Sequence, residues 1–269
     1  MQINNHIKHG TEFHLLVPQL ILSLPFILAL IIYIIAVIIA WRRNKSWQLY
    51  RLFLWLAGIS CSLSAVTGPL AARSPQDFTA HMLGHLLLGM LAPLLLVLGC
   101  PMKLLLRTLK VKHARKLSRF LKSNPIRLIS HPIVASLLNV GGLWVLYLTS
   151  LFQTMHHNGL LHILVHLHVF LAGYFFTSAF IYTDPQPHRT GYLYRSIVLI
   201  LALACHSILS KYIYAHPPMG VPIDQAKTGG LLMYYGGDTI DLILITTLCY
   251  QWFKESRPRA YDPFNVINK

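Results

Sequence analysis

Acidic residues are scarce in this chain: eight Asp and Glu stand against 23 Lys and Arg, and charged residues fill only 12% of its 269 positions. An ordinary soluble domain carries about 25% charge, so this poverty, beside 55% hydrophobic residues, excludes one. Cysteine is equally sparse. Cys61, Cys100, Cys205 and Cys249 lie far apart, in or beside apolar runs, and no two have Cys-x-x-Cys spacing. That excludes a disulfide framework and a cysteine zinc site. The short alternating segments of a membrane barrel are also missing, and no stretch is left over for a separate soluble domain.

What is present is a series of apolar runs of the length needed to cross a hydrocarbon core, about 20 residues each. They fall at roughly 18–40, 49–68, 78–99, 132–152, 160–182, 192–213 and 229–252. Every backbone polar group in lipid must be paired within its own segment, so these runs are read as helices. The expected fold is an all-α integral membrane bundle of seven transmembrane helices. It has an external tail over 1–17 and a cytoplasmic tail over 253–269. Residues 1 to 14 are polar with little positive charge, and the run behind them is too long for a signal-peptide core, so no cleaved signal is expected.

The net charge of +15 would suggest nucleic acid in a soluble protein. Here it follows the alternation of spans. One face receives Arg42 to Arg51, the block Lys103 to Arg127, Arg189 and Arg195, and Lys254 to Lys269; the other holds only Lys8, Arg73, Lys211 and Lys227. Cytoplasmic loops are the basic ones, which puts the N-terminus outside and the C-terminus inside a bacterial cell membrane, with no role for nucleic acid. The connection from Met102 to Arg127 interleaves leucines and Phe120 with its basic residues, as suits a helix lying on anionic lipid.

Histidine departs from this symmetry. Twelve of fifteen, including His6, His9 and His14 in the tail, fall on the outer side, and only His113, His131 and His188 fall inside. Two spans each carry a pair four residues apart, His81 with His85 and His162 with His166, so each pair shares one helix face. His206 and the carboxylates Asp238 and Asp241 come to a similar depth on the last two spans. Imidazoles one turn apart can ligate one metal ion, and an intramembrane carboxylate is functional by default. The expected metal ligands are His81, His85, His162, His166, His206 and Asp238, with Asp241, Met82 and Met233 behind them as orienting partners or proton carrier. Plainer readings stand beside these: His81 and His162 also suit the membrane interface, and a lone His206 could serve only to bond a neighbouring helix. Imidazole with thioether suits copper, especially Cu(I); zinc also fits imidazole and carboxylate. Haem ligation by facing histidines, in an electron carrier, and copper or proton transport are alternative readings of the same residues.

The ordered motifs His81-Met82-Leu83-Gly84-His85, Ala92-Pro93 with Gly99-Cys100-Pro101, His162 and His166 leading to Phe170-Leu171-Ala172-Gly173, and Asp224-Gln225 with Gly229-Gly230-Leu231-Leu232-Met233 and Gly237-Asp238 resemble the multi-span CtaG proteins. These assist assembly of bacterial cytochrome c oxidases. Cys100, Val165, Ser178 and Tyr234 depart from the family pattern, while the histidines keep to it. The resemblance implies a non-enzymatic role: supplying copper to the haem–copper centre, with an oxidase membrane subunit and an extracytoplasmic copper donor protein as partners.

The charge asymmetry makes a direct prediction of topology. Reporters fused after Asn44, Ser123, Arg189 and Arg257 are expected to score cytoplasmic, and those after Ser74, Asn158 and Pro218 external. Two reversed loops would break the seven-span reading.

Overall fold

The computed structural model describes residues 3–186 and 188–257, with side chains from residue 17 onward. Every regular element among them is helical. The chain runs through α1 (Ile3–Arg42), α2 (Leu49–Val66), α3 (Gly68–Arg73), α4 (Phe78–Leu86), a π-turn (Leu87–Leu91) and α5 (Ala92–Leu98). Three short helices follow, α6 (Pro101–Thr108), α7 (Val111–Leu121) and α8 (Asn124–Ile129). Next come α9 (Pro132–Ser136), a second π-turn (Leu137–Gly141), α10 (Gly142–Leu148) and α11 (Leu151–His157). The chain closes with α12 (Gly159–Phe180), α13 (Tyr192–Ala215) and α14 (Ile223–Ser256).

Six helical stretches are each long and apolar enough to cross a membrane. A seventh span exists if Pro132–Leu148 and Leu151–His157 are counted together, although the two are bent by 79°. The unbroken span expected over 132–152 therefore stops at Leu148. Thr149 leaves the helical region with φ −113° and ψ 175°, and α11 turns away across the bundle end. The single helix expected over 102–127 is likewise three pieces. Leu109 adopts extended backbone after α6, and Pro125 restarts α8 where an N–H would be orphaned in any case. The helix bounds extend α1 back to Ile3, whereas the side chains of His6, His9 and His14 lie outside the described residues.

The end of the bundle carrying the basic loops is tied by polar contacts. Tyr33 donates its hydroxyl to the Gly99 carbonyl at 2.8 Å, accepts from Trp47 Nε1 at 3.2 Å and stacks on Trp55. Cys100 stands in the left-handed region at φ 53°, which explains why a small residue suits that position best. Buried Arg195 donates to the Phe180 carbonyl and lies over the rings of Tyr182 and Tyr192 at 3.9 and 4.2 Å. Asp184, in the loop after α12, caps α6 from a distance by accepting from the backbone N–H groups of Met102 and Lys103. A carboxylate at that position compensates orphan donors and the helix dipole together.

At mid-depth the tightest contact joins α12 to the first π-turn. A Cβ added at Gly173 would fall 2.0 Å from the Gly89 carbonyl oxygen and 2.9 Å from its carbon. Only glycine permits this approach.

Two expectations follow. Gly173→Ala must force α12 from the π-turn and is expected to destabilise by about 1–3 kcal/mol, as overpacking does; Gly141→Ala, with open space around it, should be neutral in the same melting assay. Burial pushes the Asp184 carboxyl up from 3.8 to about 6 despite its two N–H partners. The stability its proton contributes is thus full below pH 3.8, declines as pH rises and is gone above about pH 6. Melting temperature should carry that component in the wild type, and Asp184→Asn, which keeps a cap, should lack it.

Candidate metal centre

Two N-caps built alike set the histidine helices in place. The Asp77 carboxylate accepts from the backbone of Thr79 and Ala80 to start α4, and the Asn158 side chain accepts from Leu160 and Leu161 to start α12. In each helix the first histidine follows its cap by four residues and the second by eight. The equal offsets place each pair on the first two turns of its helix, one turn of 5.4 Å apart.

Between the helices lies a cavity of about 20 Å³, lined by His81, His85, His166, Tyr147 and Ser74 among apolar neighbours. That volume holds one ion or one water and has no room for a porphyrin. The rings of His81 and His166 are 6.4 Å apart, and His162 stacks on His166 at 4.0 Å. His156, from α11, sits 6.1 Å from His81. Among the described residues no group of three or more His, Cys, Asp or Glu side chains stands in an arrangement that would hold a metal ion as they are oriented here.

The ring nitrogens differ in their commitments. His81 is engaged on both sides, Nδ1 with Ser74 Oγ at 3.2 Å and Nε2 with the Tyr147 hydroxyl at 3.1 Å. His166 Nδ1 donates to the His162 carbonyl at 2.9 Å. In a neutral ring that bond fixes the tautomer and leaves a lone pair on Nε2. His156 repeats the device with the Phe152 carbonyl at 2.8 Å. His85 is buried with neither nitrogen hydrogen-bonded, and His206 is buried with Nε2 unpartnered. Buried polar groups are nearly always satisfied, so an imidazole with two orphan nitrogens marks a place where something polar belongs. Neutral imidazoles without a carboxylate in the lining suit Cu(I) or zinc and not a hard cation.

The sequence-derived site residues divide accordingly. His81, His85 and His166 line one cavity, with His162 beside it. His206, on α13, is not in the lining of that cavity; its ring lies against the α14 backbone, where a Cβ on Gly237 would lie 2.8 Å from His206 Cε1. Of the two carboxylates, Asp241 is buried and Asp238 is exposed. They sit three residues apart, which separates them by about 60° around the helix, and that angle turns Asp238 out of the bundle. Met82 and Met233 are completely buried in the apolar cluster below the bundle end, packed with Phe78, Tyr147 and Met155. Tyr147, Ser74 and His156 were not picked out from sequence as site residues. The signal for Tyr147 was a hydroxyl-bearing ring inside an apolar run; Ser74 and His156 lie in connections whose path the sequence leaves open.

Residues 31–255 match the family described as cytochrome c oxidase caa3 assembly factor (Caa3_CtaG). The chain is also similar to uncharacterized proteins of Mycobacterium tuberculosis and Mycobacterium bovis, at 35% identity over 239 residues, and to one of Mycobacterium leprae at 29% over 237. Each match covers 80% of this chain and 36% of the relative, so the chain spans about a third of the length of these proteins. No solved structure matches it. With most of its length covered by the family match, including both N-caps and the histidine pairs of α4 and α12, the chain belongs to the Caa3_CtaG family of cytochrome c oxidase assembly factors.

Proposed function

We propose that this membrane protein carries copper as cargo, as Cu(I), and presents it from the histidine cavity to the haem–copper centre of a cytochrome c oxidase. The observation that carries the reading is His85: a buried imidazole with two unpartnered nitrogens, on a cavity of single-ion size shared with His81 and His166. Family membership supports the oxidase as recipient. The same reading takes the histidine end of the bundle as external, where an extracytoplasmic donor protein would load it, and the basic end as cytoplasmic, with the pieces of 101–129 resting on anionic lipid.

The residues divide the work. His166 offers Nε2 because its Nδ1 proton is held by the His162 carbonyl. His85 offers either nitrogen after a small rotation of its ring over Gly89, where the absent Cβ leaves space. His81 must release Tyr147 or Ser74 to join, and those two hydroxyls hold it when no cargo is bound. Exchange of hydrogen bond for metal bond keeps the affinity moderate. Neutral imidazoles, without thiolates, also let the ion leave.

The purified chain is expected to hold about one copper ion, in keeping with an imidazole site. His85→Ala or His166→Ala should remove most of it, and His113→Ala should not. Full retention in the double variant would move the site elsewhere. In a strain lacking the protein, the oxidase should contain its haem and lack active-site copper and activity. Normal copper with normal activity in that strain would reject the assembly role.

A further inference from the structure

Below the histidine cavity the bundle contains a second polar compartment that the copper reading does not use. It has a volume of about 20 Å³ and is walled by four spans, which contribute Gly89 and Met90, Asn139, Thr177 and Asp241. Asp241 is only 6% exposed, and no hydrogen bond among the described residues engages its carboxylate, the Asn139 amide or the Thr177 hydroxyl. Asp238, three residues earlier on the same helix, adds a second carboxylate and no cation. A carboxylate at this depth is costly unless a proton or a cation compensates it.

The backbone around it is also unusual. Gly89 and Met90 belong to the first π-turn, Leu87–Leu91, and Asn139 to the second, Leu137–Gly141, so both π-turns of the protein face this one space. Such turns are rare and concentrate at functional sites. In the second, the Leu138 carbonyl also accepts from His168 Nε2 at 3.1 Å. Interrupted helices that line an internal space are the usual way for a membrane protein to hold a small ion at mid-depth.

We propose that Asp241, Asn139 and Thr177 form a site for one small hard cation, a proton or a sodium ion, distinct from the histidine centre. The donors are a carboxylate, an amide oxygen and a hydroxyl, which select hard cations over Cu(I); Met90 is the single soft atom in the lining. The volume admits one such ion. The other titratable groups on the elements around it are Asp238 on the same helix, His206 against Gly237, His85, whose ring lies over Gly89, and His168 of α12, bonded to the Leu138 carbonyl beside Asn139.

The test uses the purified full chain in detergent. Sodium is titrated at fixed pH and ionic strength, with choline as filler, while melting temperature and bound radioactive sodium are read. In parallel, infrared spectra in sodium-free buffer are read for a protonated-carboxyl band. A saturable sodium effect with one ion per chain, lost in Asp241→Asn and retained in Asp238→Asn, identifies sodium. A protonated-carboxyl band at neutral pH, lost in Asp241→Asn and retained in Asp238→Asn without sodium dependence, identifies the proton. Either supports the site. Thr177→Val should weaken the effect about tenfold, the loss of one hydrogen-bond-sized interaction, and serves if Asp241→Asn does not fold. Absence of both signals, or signals that survive Asp241→Asn or Thr177→Val unchanged, would overturn the proposal. Copper content of Asp241→Asn should equal that of the wild type, so this proposal and the copper reading can fail separately.

Discussion

The rest of this structure depends on one constraint: in hydrocarbon, a polar group must find a partner inside the protein. Backbone groups meet it by forming helices. Arg195 meets it with the Phe180 carbonyl and two tyrosine rings, and Tyr33 with Gly99 and Trp47. Against that background the exceptions are few. His85 and His206 carry buried nitrogens without a partner, and Asp241 is a buried carboxylate; they stand on α4, α13 and α14. Trp55 Nε1 and Arg195 Nε also lack a partner, but each belongs to a side chain held by ring contacts; His85, with neither nitrogen engaged, has no such compensation.

The second organising feature is close backbone approach. Gly89 carries the π-turn carbonyl that Gly173 accommodates, leaves room for the His85 ring, and lines the Asp241 compartment. One residue without a side chain therefore separates the two polar spaces and keeps α12 near enough for His166 to share a cavity with His81 and His85. Gly237 does the same for His206 on the last span. Close packing through small residues is how membrane helices associate without a hydrophobic driving force between them.

Much of this was legible in the sequence. Lipid as solvent, the helical spans and the two histidine pairs follow from run length and from spacing of four, which are local properties. The caps at Asp77 and Asn158 are local too, and they place each pair in the first turns of its helix. Features that depend on the angle between helices were not legible. Asp238 and Asp241 differ by only three positions, and which one faces inward is set by the rotation of α14 against its neighbours. The break after Leu148 arises from tertiary fit, since Thr149-Ser150 carries no proline or glycine, whereas the first π-turn does have a local signal in Gly89 four residues before Pro93, which lacks the N–H to bond that carbonyl. Asp184 reaches α6 from more than eighty residues away in the chain, and no spacing rule reports such a cap.

The central claim is that neutral imidazoles in the α4–α12 cavity hold the copper. The most direct measurement is X-ray absorption at the copper edge of the Cu(I)-loaded protein, compared with the His85→Ala/His166→Ala variant. The account requires a first shell dominated by imidazole nitrogen, with the outer-shell scattering characteristic of histidine, and its loss in the double variant. A shell dominated by sulfur, or an imidazole signal that the double variant leaves unchanged, would contradict it.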